Sequence, residues 1–222
     1  METLAILVCF AVREEAHFAL PLPDVKGGRD ILVTGMGRRN ASTRFRQALD
    51  RCRPERVLTC GFAGALNPEL HVGDVLFDED FDAGFGEALS SLGAIKAGFH
   101  CSTRVAVTAA EKAEIRRMTS ADAVEMESSV IRTLCREHGI PSATLRAISD
   151  AAGEDLPLDF NALMTSDQRI SMAKLSLALM KSPGTLPRLL ELQRNTRHAA
   201  QRLAGVLHEL LRTLRRDGAS CF

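Results

Sequence analysis

Short apolar runs alternate with amphipathic stretches along the first 150 residues. LAILVCF (4–10), DILVTG (30–35), RVLTCG (56–61), DVLFD (74–78), RVAVT (104–108) and SATLRAIS (142–149) are continuously apolar or nearly so and rich in β-branched residues. That pattern predicts strands covered on both faces. Helical patterns fall between them at 39–52, 109–118 and 126–138, and the last ends at EHGIP, with Gly139 as a C-cap and Pro141 just beyond it. Segments 62–73 and 78–100 are rich in Gly, Asp and Ser and are expected to be loops. From about residue 160 the pattern is helical throughout. LAGVLHELLRTL sets Leu203, Val206, Leu207, Leu210, Leu211 and Leu214 on one helical stripe, and KSPGTLP (181–187) breaks the tail into two helices.

Strand–helix alternation of this kind predicts an α/β fold: a three-layer αβα sandwich around a central mixed, twisted sheet, with a helical C-terminal extension. At 222 residues the chain is long enough for one sizeable core. The expectation is a single domain over 1–222, in which 156–216 form a helical, basic extension.

Charge changes this picture in one place. The chain carries 28 basic and 28 acidic side chains, a balance unlike the basic excess of nucleic-acid-binding proteins. Between Arg169 and Arg216, however, ten Lys/Arg face only Glu191 and Glu209, so this tail is +8 and the remainder −8. Such asymmetry suits contact with an anionic surface, and equally a solvated face. The six cysteines (Cys9, Cys52, Cys60, Cys101, Cys135, Cys221) form no CxxC pair and no metal-ligand spacing. Several sit in apolar surroundings, which suits reduced thiols and a cytoplasmic location. The apolar start is preceded by no basic residue and followed at once by REE, unlike a signal peptide, and no run reaches the ~20 apolar residues of a membrane span.

In an open α/β sheet, ligands bind beyond the carboxyl ends of the strands. AVREE, TGMGRRNA, CGFAGAL and ISDAAGED all fall at such ends, and VEMES lies at a strand-to-helix junction. Each has an ordinary reading. Glu125 and Glu127 suit the first turn of a helix, Asp150 suits an N-cap, and Glu14 and Glu15 suit a solvated helix start. TGMGRRNA lacks the third glycine of a dinucleotide fingerprint. The glycines of CGFAG serve a tight turn or a close approach to a ligand equally well.

Together, TGMGRRNA, CGFAGALNPELHVGDVL, AVEMESSVIRTLCREHGIP and LRAISDAAGED, in this order and at these separations, resemble the nucleoside phosphorylase superfamily over residues 3–155. The branch most similar holds the methylthioadenosine/S-adenosylhomocysteine nucleosidases. The resemblance implies cleavage of the N-glycosidic bond of a purine nucleoside through a ribosyl cation-like transition state. Asp150 then matches the acid that serves N7 of the departing adenine. Its carboxyl would hold a proton near neutral pH at a buried, apolar strand end, oriented by Ser149. Glu127 matches the carboxylate that binds the ribose hydroxyls, Met126 would pack against the ribose, and Glu125 lies beside the same pocket. Glu15 aligns with the acid that activates water, with Glu14 the less favoured neighbour. The Phe62, Ala63 and Gly64 loop would line the nucleophile site. Were phosphate the co-substrate, Arg38 and Arg39 with the Gly61–Gly64 loop are the candidate anion site. No cofactor and no metal are implied, and a homodimer or higher homo-oligomer is.

The departures bear on the substrate. Phe62 stands where the family has a serine in a GSAG-like loop, and STRVAVTAAEKAEIRRM replaces the aromatic base-stacking segment with a shorter connection. The tail is similar to that of the hopanoid-biosynthesis-associated phosphorylases of the same superfamily, linked to removal of adenine from adenosylhopane. A nucleoside joined to a hydrocarbon needs an apolar channel and access to a membrane surface. Basic amphipathic helices lying in the interface would supply both, making the protein peripheral to the membrane. A housekeeping methylthioadenosine/S-adenosylhomocysteine nucleosidase and a non-catalytic nucleoside sensor or lipid-surface module are the alternatives.

Overall fold

The computed structural model describes residues 2–80, 83–165, 171–181 and 183–217. Its sheet is built on β1 (Glu2–Phe10), β2 (Arg29–Val33), β3 (Cys52–Ala65), β4 (Val75–Glu79), β5 (Ile95–Lys96) and β8 (Ser142–Asp150), in the order β2-β1-β3-β8-β4-β5. β1 runs parallel to β2 and β3, β3 parallel to β8, and β4 antiparallel to β8. The sheet is therefore mixed. Two short strands, β6 (Phe99–Cys101) and β7 (Ala123–Glu125), branch from the far end of β3, where Gly64 pairs with Val124.

Period-two alternation divides β1 between two cores. Ile6, Val8 and Phe10 face the larger one with α1 (Arg13–Ala19), α3 (Gly86–Ser91) and α8 (Leu186–Asp217). Leu7 and Cys9 face the smaller one, closed by Ala41 and Phe45 of α2 (Gly37–Leu49) and by Ile131, Leu134 and Cys135 of α5 (Ser128–Glu137). Helices cover both faces, which makes three layers. Leu203, Val206, Leu207, Leu210 and Leu211 of α8 are all buried in the larger core, so this part of the tail is itself a layer of the sandwich. α4 (Ala109–Thr119), α6 (Phe160–Leu163) and α7 (Met172–Lys181) complete the helices.

Three expectations are corrected. RVAVT is not a strand: two of its amides bond to side chains instead of a ladder, with Val105 N–H donating to Asn161 Oδ1 and Val107 N–H to Glu111 Oε2. The loop expected over 62–73 begins only after Ala65, because residues 62–65 are the last part of β3, paired with β8 through Gly64. Segment 78–100 contains α3 and β5 in place of a plain loop. Among the described residues Cys9, Cys52, Cys60, Cys101 and Cys135 form no disulfide; Cys221 and Arg169 lie outside them.

Candidate active site

The site begins where β1 ends. Glu15 sits in the first turn of α1 and is buried, while Glu14 beside it is exposed. The Glu15 carboxylate folds back over its own helix start. Oε2 accepts from Ala11 N–H at 3.0 Å and Val12 N–H at 3.2 Å, and Oε1 accepts from Phe62 N–H on β3 at 3.2 Å. This approach requires glycine at 61, where a Cβ would lie 2.8 Å from Glu15 Oε1. Burial raises the Glu15 pKa, against the pull of Arg146 and the three amides.

Glu125 and Glu127 bracket the β7–α5 junction and have opposite environments. Glu125 ends β7 with its carboxylate accepting from Glu127 N–H, Ser128 N–H and Ser128 Oγ–H, and from Arg146 Nη2 at 2.9 Å. Burial opposes its ionisation, but the Arg146 guanidinium and these donors outweigh it and hold the pKa below the ordinary carboxylate value. Glu127 has one backbone partner, Gly37 N–H at 2.7 Å, the first amide of α2. Burial, with repulsion from Glu125 and Glu15, outweighs the attraction of Arg146 and pushes its pKa up to about 7. One buried guanidinium thus serves three carboxylates. Arg146 comes from the middle of β8, and its Nε has no protein acceptor among the described residues.

Asp150 ends β8 just past a β-bulge. Ile148 pairs with Ala63 and Asp150 with Gly64, so Ser149 is the extra residue that re-aims the strand end. Ser149 Oγ–H donates to Asp150 Oδ1 at 2.7 Å. The expected apolar surroundings are absent. Lys112 of α4, fully buried, donates to Asp150 Oδ2 at 2.6 Å and also to the carbonyls of Ala151 (2.7 Å) and Glu154 (3.0 Å). Glycine is needed at 64 as well, since a Cβ there would lie 2.9 Å from Asp150 Oδ2.

The remaining candidates divide. Ala63 is buried and Gly64 and Met126 are half-buried at the same end of the sheet. Phe62 joins the site through its amide, while its side chain packs against the larger core. Arg38 and Arg39 are exposed on the first turn of α2. Beside Asp150 lies a cavity of about 230 Å³, lined among others by Glu154, Leu156, Arg188 and Leu192, so the start of α8 walls the Asp150 side. Two charged residues escaped the sequence reading. Arg146 left a signal, a lone charge inside an otherwise apolar strand; Lys112 left none, because charged neighbours surround it in AAEKAEIRR.

Three buried carboxyls thus stand at one end of the sheet, Glu15 and Glu127 each beside a helix start and Asp150 beyond a strand bulge. The model of the Phosphorylase superfamily matches residues 25–88 and 94–212, and the chain belongs to that superfamily. It is an enzyme of the nucleosidase and nucleoside phosphorylase class. The aminodeoxyfutalosine nucleosidase of Campylobacter jejuni is 29% identical over 174 residues, 64% of this chain and 76% of that one. The 5′-methylthioadenosine/S-adenosylhomocysteine nucleosidase of Tolumonas auensis is 26% identical over 217 residues, 82% of this chain and 90% of that one. In fold, the chain superposes on the Campylobacter jejuni 5′-methylthioadenosine/S-adenosyl homocysteine nucleosidase with a TM-score of 0.69 at 18% identity, covering 95% and 99% of the two chains. The Helicobacter pylori futalosine hydrolase gives 0.68 at 16% identity, covering 96% and 98%.

Proposed function

We propose that this protein hydrolyses the N-glycosidic bond of an adenine nucleoside. The reading rests on one observation: Glu15, Glu127 and Asp150 gather at the carboxyl end of the sheet with three different sets of partners. As the bond between N9 and C1′ breaks, its electron pair goes to the purine and Asp150 delivers a proton to N7. Glu127 anchors the ribose hydroxyls and faces the positive charge growing on the sugar. Water attacks C1′ and loses its proton to Glu15, whose raised pKa brings a carboxylate closer to the neutral range where a general base works. Adenine leaves neutral.

Water is favoured over phosphate because the amides that would hold an anion are already engaged. Glu127 takes Gly37 N–H and Glu15 takes Phe62 N–H, and Arg38 and Arg39 stand exposed. The substrate we favour is a lipophilic 5′-substituted adenosine such as adenosylhopane, in hopanoid biosynthesis. Leu177 of α7 is 52% exposed, and Leu186 and Leu190 are 51% and 46% exposed on α8, the helix whose Arg188 and Leu192 wall the Asp150 cavity. Exposed leucines among basic residues suit peripheral contact with an anionic membrane. No helix of the described residues is long and apolar enough to cross one. A homodimer in the cytoplasm completes the proposal. The second reading, a methylthioadenosine/S-adenosylhomocysteine nucleosidase, is favoured by the names of several relatives.

Free adenine released from adenosine, methylthioadenosine and a lipophilic 5′-alkyl adenosine, with and without phosphate, separates these readings. Release confined to the lipophilic substrate supports the first and release from methylthioadenosine the second. A phosphate requirement overturns hydrolysis, and binding without release from any of the three indicates a sensor. Asp150→Asn is expected to cut kcat by ~10²–10⁴ with binding retained. A rate within a few-fold of wild type removes Asp150 from its role.

A further inference from the structure

Nothing in the acid role of Asp150 explains why a fully buried lysine should stand against it. Lys112 spends its three ammonium N–H groups on Asp150 Oδ2 and on the carbonyls of Ala151 and Glu154. Ser149 occupies Oδ1, and the Cα of Gly64 closes the side toward β3. Such a pair is awkward for a lone general acid, because Lys112 brings a donor, and no acceptor, to an oxygen of the group that must itself give up a proton. The awkwardness disappears if the proton that reaches the purine starts on the lysine.

We propose that Lys112 and Asp150 form one buried proton-donating pair, with Lys112 the positioning residue that both orients Asp150 and supplies the proton it delivers. This rests on the acid role given to Asp150 above. In the resting enzyme the proton lies on Nζ. When substrate displaces water from the cavity, the ion pair loses solvation, which narrows the gap between it and the neutral amine–carboxylic acid pair. Nζ then passes one proton to Oδ2, the carboxylic acid so formed passes one proton to N7, and the electrons of the breaking N9–C1′ bond go to the purine. Asp150 returns to carboxylate, and Lys112, left as the neutral amine, regains its proton from solvent after adenine leaves.

The pair has a signature in the pH dependence of the rate, because without Lys112 the proton has to come from a lone carboxylic acid. Among the described residues, the other charged groups that line the cavity beside Asp150 are Glu154 and Asp155 in the turn after β8 and Arg188 and Glu191 of α8, while uncharged Gly64 of β3 closes against Oδ2 with Val124 of β7 behind it. None of these donates to Oδ2, so Lys112 is the charged donor on that oxygen among the described residues.

The test is the pH profile of kcat/KM from pH 6 to 9, using whichever of the three adenosines above is cleaved. The wild-type rate is expected to hold within a few-fold from pH 7 to 9. K112M is expected to lose ~10-fold at pH 6 and ~10³-fold at pH 9, the spread of a lost proton donor. K112A is expected to recover activity with added ethylammonium. Loss by the same factor at every pH, without amine rescue, means that Lys112 is merely structural and overturns the proposal. If both variants fail to fold, the wild-type profile decides alone: a tenfold fall between pH 7 and 8 overturns it. An active D150N would instead sink the acid reading itself, so the two failures are distinguishable.

Discussion

Glu127→Gln should make the protein more stable above neutral pH while it abolishes function. Glu127 is 9% exposed, and its pKa rises on folding from an ordinary 4.5 to about 7, chiefly because burial penalises the charge. Over that window the folded state holds a proton that the unfolded chain has released. The contribution of this group to stability is therefore fully present below pH 4.5 and is lost as pH rises through about 7. At about 1.4 kcal/mol per pH unit, the loss by pH 8 is about 3 kcal/mol. Glutamine keeps an oxygen for Gly37 N–H and carries no charge, so it escapes this loss. Urea unfolding of both proteins at pH 5 and pH 8 isolates the effect, because Glu15 and the other titrating groups are common to both. The difference between variant and wild type should grow by about 2–3 kcal/mol in favour of the variant from pH 5 to pH 8. Adenine release should fall at every pH, since the ribose loses its anion. An unchanged difference between the two pH values refutes the account of Glu127 as a strained, buried charge held for function.

The same residue sets an acid limb. Wild-type kcat/KM should decline below about pH 7 as Glu127 takes up its proton, and the pH–rate profile checks this. Gly64→Ala should push the Asp150 carboxyl aside, since the new Cβ would lie 2.9 Å from Oδ2; kcat should fall ~10²-fold, with the melting temperature changed little. Glu125→Gln should destabilise by ~3–5 kcal/mol in chemical denaturation, because Arg146 would keep its charge without its nearest carboxylate. Leu207→Ala should cost ~2–5 kcal/mol by the same measurement, as expected for a fully buried side chain in the larger core. A negligible effect there would mean that α8 is an appendage and not a layer.

Much of this molecule was legible in one dimension. The continuous apolar runs at 4–10 and 142–149 announced strands buried on both faces because a parallel sheet leaves no solvent-facing side. The leucines from 203 to 211 announced a helix face because burial selects for that spacing. The acids at 127 and 150 were legible through two of four motifs in a familiar order and spacing, and Glu15 only through the resemblance those motifs establish. Contact partners are not written that way. That RVAVT would give its amides to Asn161 and Glu111, that a bulge at Ser149 would turn Asp150, that Arg146 would pair with Glu125 and that Lys112 would pair with Asp150 depended on segments distant in sequence meeting at one sheet end. Residue pattern determined which stretches become strands and helices, since burial on a regular element repeats with the element's own period. The charge state and aim of each carboxylate were decided only by tertiary structure, because desolvation and Coulomb energy depend on distances of a few ångströms between residues that the sequence holds far apart.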